Sequence, residues 1–332
     1  MKLIDKAAKQ LSEMMIKKIE CLQTGWNKPW ISRQFVESRF RPCNLSGREY
    51  SGGNLLMLFA TCEEHGYKTP VFTTRERAAK ENVMILRTEK PFPVFYSTFL
   101  YFHKKTNKRI SQAIYLLLSP DARKQYKTVF MLRYYFVFNL DQTNFREVYP
   151  EKWEKILAGN KPTRENELPE DPTAYKNPVL DTMLVERKWV CPVRLKEQDK
   201  AYYSPLSDYI MLPLKKQFLE SEAFYGTMLH EMAHSTGHET RLKREILNHF
   251  GSEKYAREEL VAEFSSALCG LFLGIPVTLQ ENNAAYLKSW LQEFNNDSRY
   301  LLNVLNDCTR VTKYVCDHLE INKEEETEKI AA

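Results

Sequence analysis

No Cys-x-x-Cys pair occurs in this 332-residue chain, and its seven cysteines are scattered. Neither a disulfide framework nor a thiolate-built metal site is therefore expected. No apolar run is long enough to cross a bilayer, and the opening residues, Met-Lys-Leu-Ile-Asp-Lys-Ala-Ala-Lys, lack the apolar stretch of an export signal. The expectation is a protein of the reducing cytoplasm with no membrane partner. Internal repeats are absent, so the chain must build its cores without stacked units.

Charge is unevenly placed. Residues 1 to 150 hold 25 Lys and Arg against 13 Asp and Glu, a net of +12, whereas the other 182 hold 23 against 30, a net of −7. The overall +5 conceals a basic half suited to a polyanion, which in a soluble protein usually means nucleic acid. Aromatic residues interleave with those cations: Trp26, Lys28 and Trp30; Arg39, Arg41, Arg48 and Tyr50; Tyr96, Tyr101 and Phe102 ahead of Lys104, Lys105, Lys108 and Arg109. Rings stack on bases while cations neutralise phosphates, the pairing that single-stranded nucleic acid requires. A Trp in a loop is more often a core anchor than a base platform, and a Lys run is usually a solvated face.

With 43% hydrophobic and 27% charged residues, the length calls for two domains. A polar, proline-containing stretch over residues 158–175 is the expected linker. It separates a domain over 1–157 from one over 176–320, with a charged tail over 321–332.

The second domain carries the sharpest motif, His230-Glu231-Met232-Ala233-His234. Residues i and i+4 share a helical face, so both imidazoles can hold one metal ion while Glu231 addresses a water beside it as general base. Phe224, Met228 and Met232 give this stretch its apolar face; Ser221 is the expected N-cap and Gly237 the expected left-handed C-terminal cap. A catalytic zinc site needs a third protein ligand. The helix around Tyr255-Ala-Arg-Glu-Glu-Leu-Val-Ala-Glu offers Glu259 as that ligand and Glu263 as the acceptor that orients a ligating imidazole. Glu258 lies about 100° around the helix and is expected to face elsewhere. His238, four beyond His234, is the rival ligand, or else a polar residue beside the site where the helix stops. Upstream, residues 201–213 read as a hairpin with its turn near Ser204 to Asp208. Its strand, marked by Tyr203, Asp208 and Ile210, either offers an edge to an extended polypeptide or is plainly structural. Beyond the motif, Leu287, Trp290, Leu291 and Phe294, then Leu301, Leu305 and Cys308, mark two amphipathic covering helices.

Three segments, Tyr203-Ser-Pro-Leu-Ser-Asp-Tyr-Ile-Met-Leu-Pro, Leu229-His-Glu-Met-Ala-His-Ser-Thr-Gly-His and Tyr255-Ala-Arg-Glu-Glu-Leu-Val-Ala-Glu, resemble the zincin domain of the antirestriction protein ArdC family. Gly25-Trp-Asn-Lys-Pro-Trp, residues 41–54 and Tyr135-Phe-Val-Phe-Asn-Leu-Asp-Gln142 are similar to the single-stranded DNA-binding domain that precedes it. The resemblance spans most of residues 10–295 in the same order. It departs at Ser235, where the family pattern has an aromatic residue, and at residues 87–93, where prolines stand in place of a glycine-containing turn.

The resemblance implies an α+β protein: a nucleic-acid-binding domain, then a mostly helical zincin-like (SprT-like) metallopeptidase domain with a small sheet. It implies Zn2+, with Mn2+ possible, on His230, His234 and Glu259. It places DNA contacts in the segment holding Trp26, Lys28, Trp30, Arg41, Asn44, Arg48, Tyr50 and Asn54. Its partners are single-stranded DNA and, as targets of cleavage, host restriction or other DNA-associated proteins, with protection of a mobile element's incoming DNA as the outcome. The competing class is a DNA-coating protein whose metal serves folding without turnover.

Overall fold

The computed structural model describes residues 3–23, 29–38, 40–160, 171–249, 251–279, 286–297 and 299–321. Much of the expected linker and nearly all of the tail lie outside the described residues. The architecture is α+β in two domains, each with its own sheet.

In the first domain a five-stranded sheet runs in the order β1-β2-β5-β3-β4, formed by β1 (Cys43–Asn44), β2 (Val71–Thr73), β3 (Phe92–His103), β4 (Arg109–Ile110) and β5 (Tyr126–Asn139). Only β1 and β2 are parallel. β3 and β5 pair along their whole length, Phe92 opposite Val137 and His103 opposite Tyr126, and form a long arm that β4 joins at its far end. In the second domain β6 (Val193–Lys196), β7 (Tyr202–Ser204) and β8 (Tyr209–Pro213) form a sheet in the order β6-β8-β7, with β7 antiparallel to β8. The expected hairpin is present, and Asp208 takes the left-handed conformation its turn requires, at φ 48°.

One buried core crosses between the halves. The N-terminal helix Leu3–Gln23 contributes Leu11, Met15 and Ile19, and the helix Gly52–His65 contributes Leu55 to Phe59. The first packs against both covering helices, Leu287–Asn296 and Tyr300–His318, and the second against Tyr300–His318; Trp290, Phe294, Leu301, Leu305 and Cys308 of these helices are buried as their periodicity anticipates. A pair of glycines makes this contact possible. A Cβ on Gly53 would stand 2.6 Å from Leu305, and one on Gly52, which sits at φ 55°, would stand 2.1 Å from Thr309. The Gly-Gly of residues 41–54 is thus a packing device between domains. A smaller core holds Val71, Leu140, Phe145 and Trp153. No helix among the described residues is long and apolar enough to cross a membrane, and no disulfide joins any of the seven cysteines.

Candidate metal centre

His230 and His234 lie on the helix Ser221–Ser235. Its start differs from expectation: Glu220 is the N-cap, without a side-chain hydrogen bond, and the Ser221 hydroxyl donates instead to the Thr173 carbonyl. Its end differs too. Gly237 is not left-handed; it is small because a Cβ there would stand 2.5 Å from Ile246. The closing carbonyls are taken by two arginines. Arg241 donates to Ser235 O at 2.7 Å, and Arg244 donates to Ala233 O at 2.8 Å, cations at a helix C-terminus where the backbone dipole favours them. Ser235 is fully buried and accepts the Trp189 indole N–H at 3.0 Å, so a distant tryptophan supplies the aromatic packing that this position's own side chain lacks.

The second helix, Glu253–Leu273, is capped by Ser252 and ended by left-handed Gly274. It delivers Glu259 between the two imidazoles. His230 Nε2 lies 3.2 Å from Glu259 Oε2 and 3.1 Å from His234 Nε2, and His234 Nε2 lies 3.5 Å from Glu259 Oε1. Ligand atoms of these three residues all fall within 4.8 Å of one another. The edge of a tetrahedron with metal bonds of 2.0–2.1 Å is about 3.3–3.4 Å, so this triangle fits one small divalent cation. Two imidazoles and one carboxylate are also a suitable donor set for it.

Charge is strongly coupled here. Burial opposes protonation of both histidines but is outweighed, for His230 by its hydrogen bond to Glu259 and for His234 by the charge of Glu259 and the hydrogen bond to Glu258, so both are held above the ordinary value. Burial likewise opposes ionisation of Glu259, yet the adjoining imidazoles hold it far below the carboxylate range. Glu231 is raised by burial, against the pull of His230 and His234, and its carboxylate accepts the backbone N–H of Tyr203.

Glu258 is where the helical-phase expectation fails. It is buried and touches the site: Oε1 lies 3.2 Å from His234 Nδ1, while Arg244 grips both oxygens at 2.7 and 3.0 Å. The two histidines are a full turn apart, so adjacent glutamates can both reach the cluster: Glu259 lies between the imidazoles and Glu258 meets the far nitrogen of His234. Glu263 reaches the other imidazole less closely, 3.8 Å from His230 Nδ1. The sequence signal for Glu258 was Arg244, a cation just past the motif whose partner is this carboxylate, whereas Arg241 pairs with Asp208. His238 is not among the converging ligands; its Nδ1 turns to the Thr240 hydroxyl at 2.8 Å.

A groove of about 1410 Å³ opens over these residues. On one side lie Ala201 to Tyr203 of the hairpin, and on another Pro29, Ser32 and Arg33 of the first domain, with Arg33 paired to Glu222. Of the three hairpin residues expected at the edge, only Tyr203 is on it. Ile210 is wholly buried on the central strand β8. Asp208 sits in the turn, tied to Arg241 at 2.6 Å and to the Tyr203 hydroxyl at 2.8 Å.

The expected DNA contacts fare differently. Trp26 and Lys28 lie outside the described residues. Trp30 is no base platform: it is 1% exposed, edge-on to Phe264 with centroids 5.1 Å apart, and its indole N–H donates to Glu263 Oε2 at 2.8 Å. Arg41 donates to the carbonyls of Phe35, Ser38, Phe40 and Leu271. Asn44 closes a local turn by accepting from Ser46 and Arg48 backbone N–H groups, and Asn54 pins both backbone groups of Phe95. These polar groups are engaged by their own fold, a use that composition cannot distinguish from ligand binding. Arg48 is exposed and Tyr50 half-buried.

Residues 5–138 match the family described as the N-terminal domain of anti-restriction factor ArdC, and residues 186–306 match the zincin-like metallopeptidase family. Two DNA primases TraC of Escherichia coli are 29% and 27% identical over 92% of this chain, which spans only 26% and 19% of their lengths. The uncharacterized protein y4eC of Sinorhizobium fredii is 23% identical over 92% of this chain and 90% of its own length. Crystal structures of the antirestriction protein ArdC from the R388 plasmid, metal-free and Mn(II)-bound, share 25% and 24% identity with this chain. Both give a TM-score of 0.64 and cover 94% of it and 97% of the plasmid protein. With the fold, the order of the two domains and the matching families in agreement, the chain belongs with the ArdC antirestriction proteins, an ArdC N-terminal domain followed by a zincin-like metallopeptidase domain.

Proposed function

We propose that this chain is an antirestriction factor that binds single-stranded DNA and hydrolyses a peptide bond at a divalent metal centre held by His230, His234 and Glu259. Zinc and manganese both suit the donor set, and the manganese-bound R388 protein supports the second. The convergence of three ligand atoms beside a buried carboxylate, at the floor of an open groove, carries this reading. A structural metal needs neither the groove nor Glu231.

A divalent cation held by His230, His234 and Glu259 would supply the Lewis acidity that activates a water toward a carbonyl. Glu231 is positioned to take that water's proton and later hand it to the departing amine. Its raised affinity for protons, from burial, matches such a shuttle better than an ordinary surface carboxylate would. The Tyr203 N–H fixes which way its carboxylate points. β7 pairs only with β8 among the described residues, so its outer edge can hold an extended polypeptide across the groove. Host restriction proteins, or others bound to the incoming DNA, are the substrates this reading implies, with survival of a mobile element's DNA as the outcome.

The test compares wild type with Glu231→Gln, which removes the base but neither imidazole. Metal content by elemental analysis and oligonucleotide binding should be unchanged. Proteolysis with single-stranded DNA present should fall by about 100- to 10,000-fold, and protection of transferred DNA in a restricting host should fall with it. Full protection by Glu231→Gln would show that cleavage is not how the protein works.

A further inference from the structure

Four residues expected to touch DNA are engaged within the fold, yet the first 150 residues carry a net +12. The arm formed by β3 and β5 is where exposed cations and rings are concentrated. Between residues 101 and 128 there are seven Lys and Arg against Asp121 alone, and Asp121 is paired to Lys124. Lys104, Lys105, Lys108 and Arg109 are all exposed at the turn, and no ion pair engages them among the described residues.

Register arranges the shaft of the arm. Side chains alternate across a sheet, and directly paired residues share a face. Tyr135 opposite Val94, Tyr96 opposite Arg133, and Phe102 opposite Lys127 therefore lie along one face. On it Tyr96 is 53% and Tyr135 43% exposed, Arg133 and Lys127 are exposed, and the Lys127 ammonium sits 5.6 Å over the Phe102 ring. Leu100, buried on the same face, separates the two groups. At the body end Tyr135 hydrogen-bonds Tyr50 and lies near Arg48, so the row continues into the two described candidates that remain on the surface.

We propose that this face of the arm, from Arg48 and Tyr135 through Tyr96 and Arg133 to Lys127 and the lysines of the turn, is the track along which a single strand of nucleic acid binds. The proposal rests on the single-stranded DNA reading above and gives it a location. Rings with open faces take bases of any identity, and cations spaced along a strand meet successive phosphates. A duplex hides its bases and has no use for exposed tyrosines. Exposed Leu116 and Leu117, on the short helix Gln112–Leu117 near the turn, add apolar surface at the far end.

Fluorescence anisotropy of the full chain with a labelled 20-nucleotide oligo(dT), and with a duplex of equal length, tests this. Wild type should prefer the single strand. Tyr96→Ala, at an exposed position, should weaken that binding by about 5- to 100-fold. Arg133→Ala and Lys127→Ala should each reduce the slope of log affinity against log salt by about 0.7. Circular dichroism checks that each variant is folded. If wild type binds oligo(dT) and all three variants bind it equally well, the arm is not the track while the DNA reading survives. If wild type does not bind at low salt, the DNA reading itself fails, and the arm with it. Equal affinity for duplex, lost in the charge variants but not in Tyr96→Ala, would refute base stacking.

Discussion

Trp30 ties the first domain to the metal centre through one hydrogen bond, and Trp30→Phe isolates it. The phenyl ring keeps the edge-on contact with Phe264 and removes the donor to Glu263, which is wholly buried. A hydrogen bond to a buried charge contributes about 1.5–3 kcal/mol, so unfolding free energy should fall by about 2 kcal/mol. A further consequence concerns the cation. Glu263 lies 3.8 Å from His230 Nδ1, a buried nitrogen with no hydrogen-bond partner, so loss of the Trp30 donor should alter the distance between that carboxylate and the imidazole. Partners that orient a ligating histidine typically alter metal affinity by about 10- to 100-fold when removed. The weak 3.8 Å contact places the effect at the lower end, about tenfold. Isothermal titration of metal-stripped full chain with Mn2+ measures it, alongside Glu263→Gln and the double variant. Coupling requires the double variant to bind about as weakly as Glu263→Gln alone. Lower stability in Trp30→Phe with an unchanged dissociation constant would show that the tryptophan is only a wedge.

Three other outcomes follow from the same contacts. Glu258→Ala leaves the Arg244 guanidinium, 4% exposed, without its carboxylate and should cost about 3–5 kcal/mol, read by urea denaturation; a loss under 1 kcal/mol would mean that Arg244 finds another partner. A fragment of residues 1–157 should be insoluble or molten, because Leu11, Met15, Ile19 and Leu55 share their core with residues 287–318; a cooperative unfolding transition for the fragment would contradict this. His230 and His234 bind protons more tightly folded than unfolded, so their contribution to metal-free stability is full below pH about 6.5 and is lost as pH rises through their folded values. Metal binding needs those rings neutral, so the melting-temperature gap between metal-loaded and stripped protein should widen from pH 6 to pH 8, and a gap that narrows would refute it.

The metal motif was legible because helical periodicity is local: His230 and His234 must share a face wherever the helix lies. Glu259 followed from spacing on a second helix. Glu258 did not, since the width of the cluster depends on how two helices cross. The DNA segment misled for a related reason. Trp30 meets Glu263 across 233 positions, and Gly53 meets Leu305 across the domain boundary. Nothing near either residue in the chain announces its partner, so basic and aromatic side chains that serve packing look the same as those that serve a ligand. Register in the arm was equally hidden, because it needs the pairing of β3 with β5 and not the composition of either.

The separation between Trp30 and Glu263 also sets a timetable. During synthesis at about 5–20 residues per second, the N-terminal helix and the Trp30 segment leave the ribosome some 10 to 50 seconds before the helix that carries Glu259 and Glu263. For that interval Leu3–Gln23 can pack on Gly52–His65 and β3 but not on the covering helices, and no metal can be captured by a complete set of ligands. A nascent chain of this kind calls for a chaperone while it waits, and slowing translation between residues 30 and 260 should lower the yield of soluble protein.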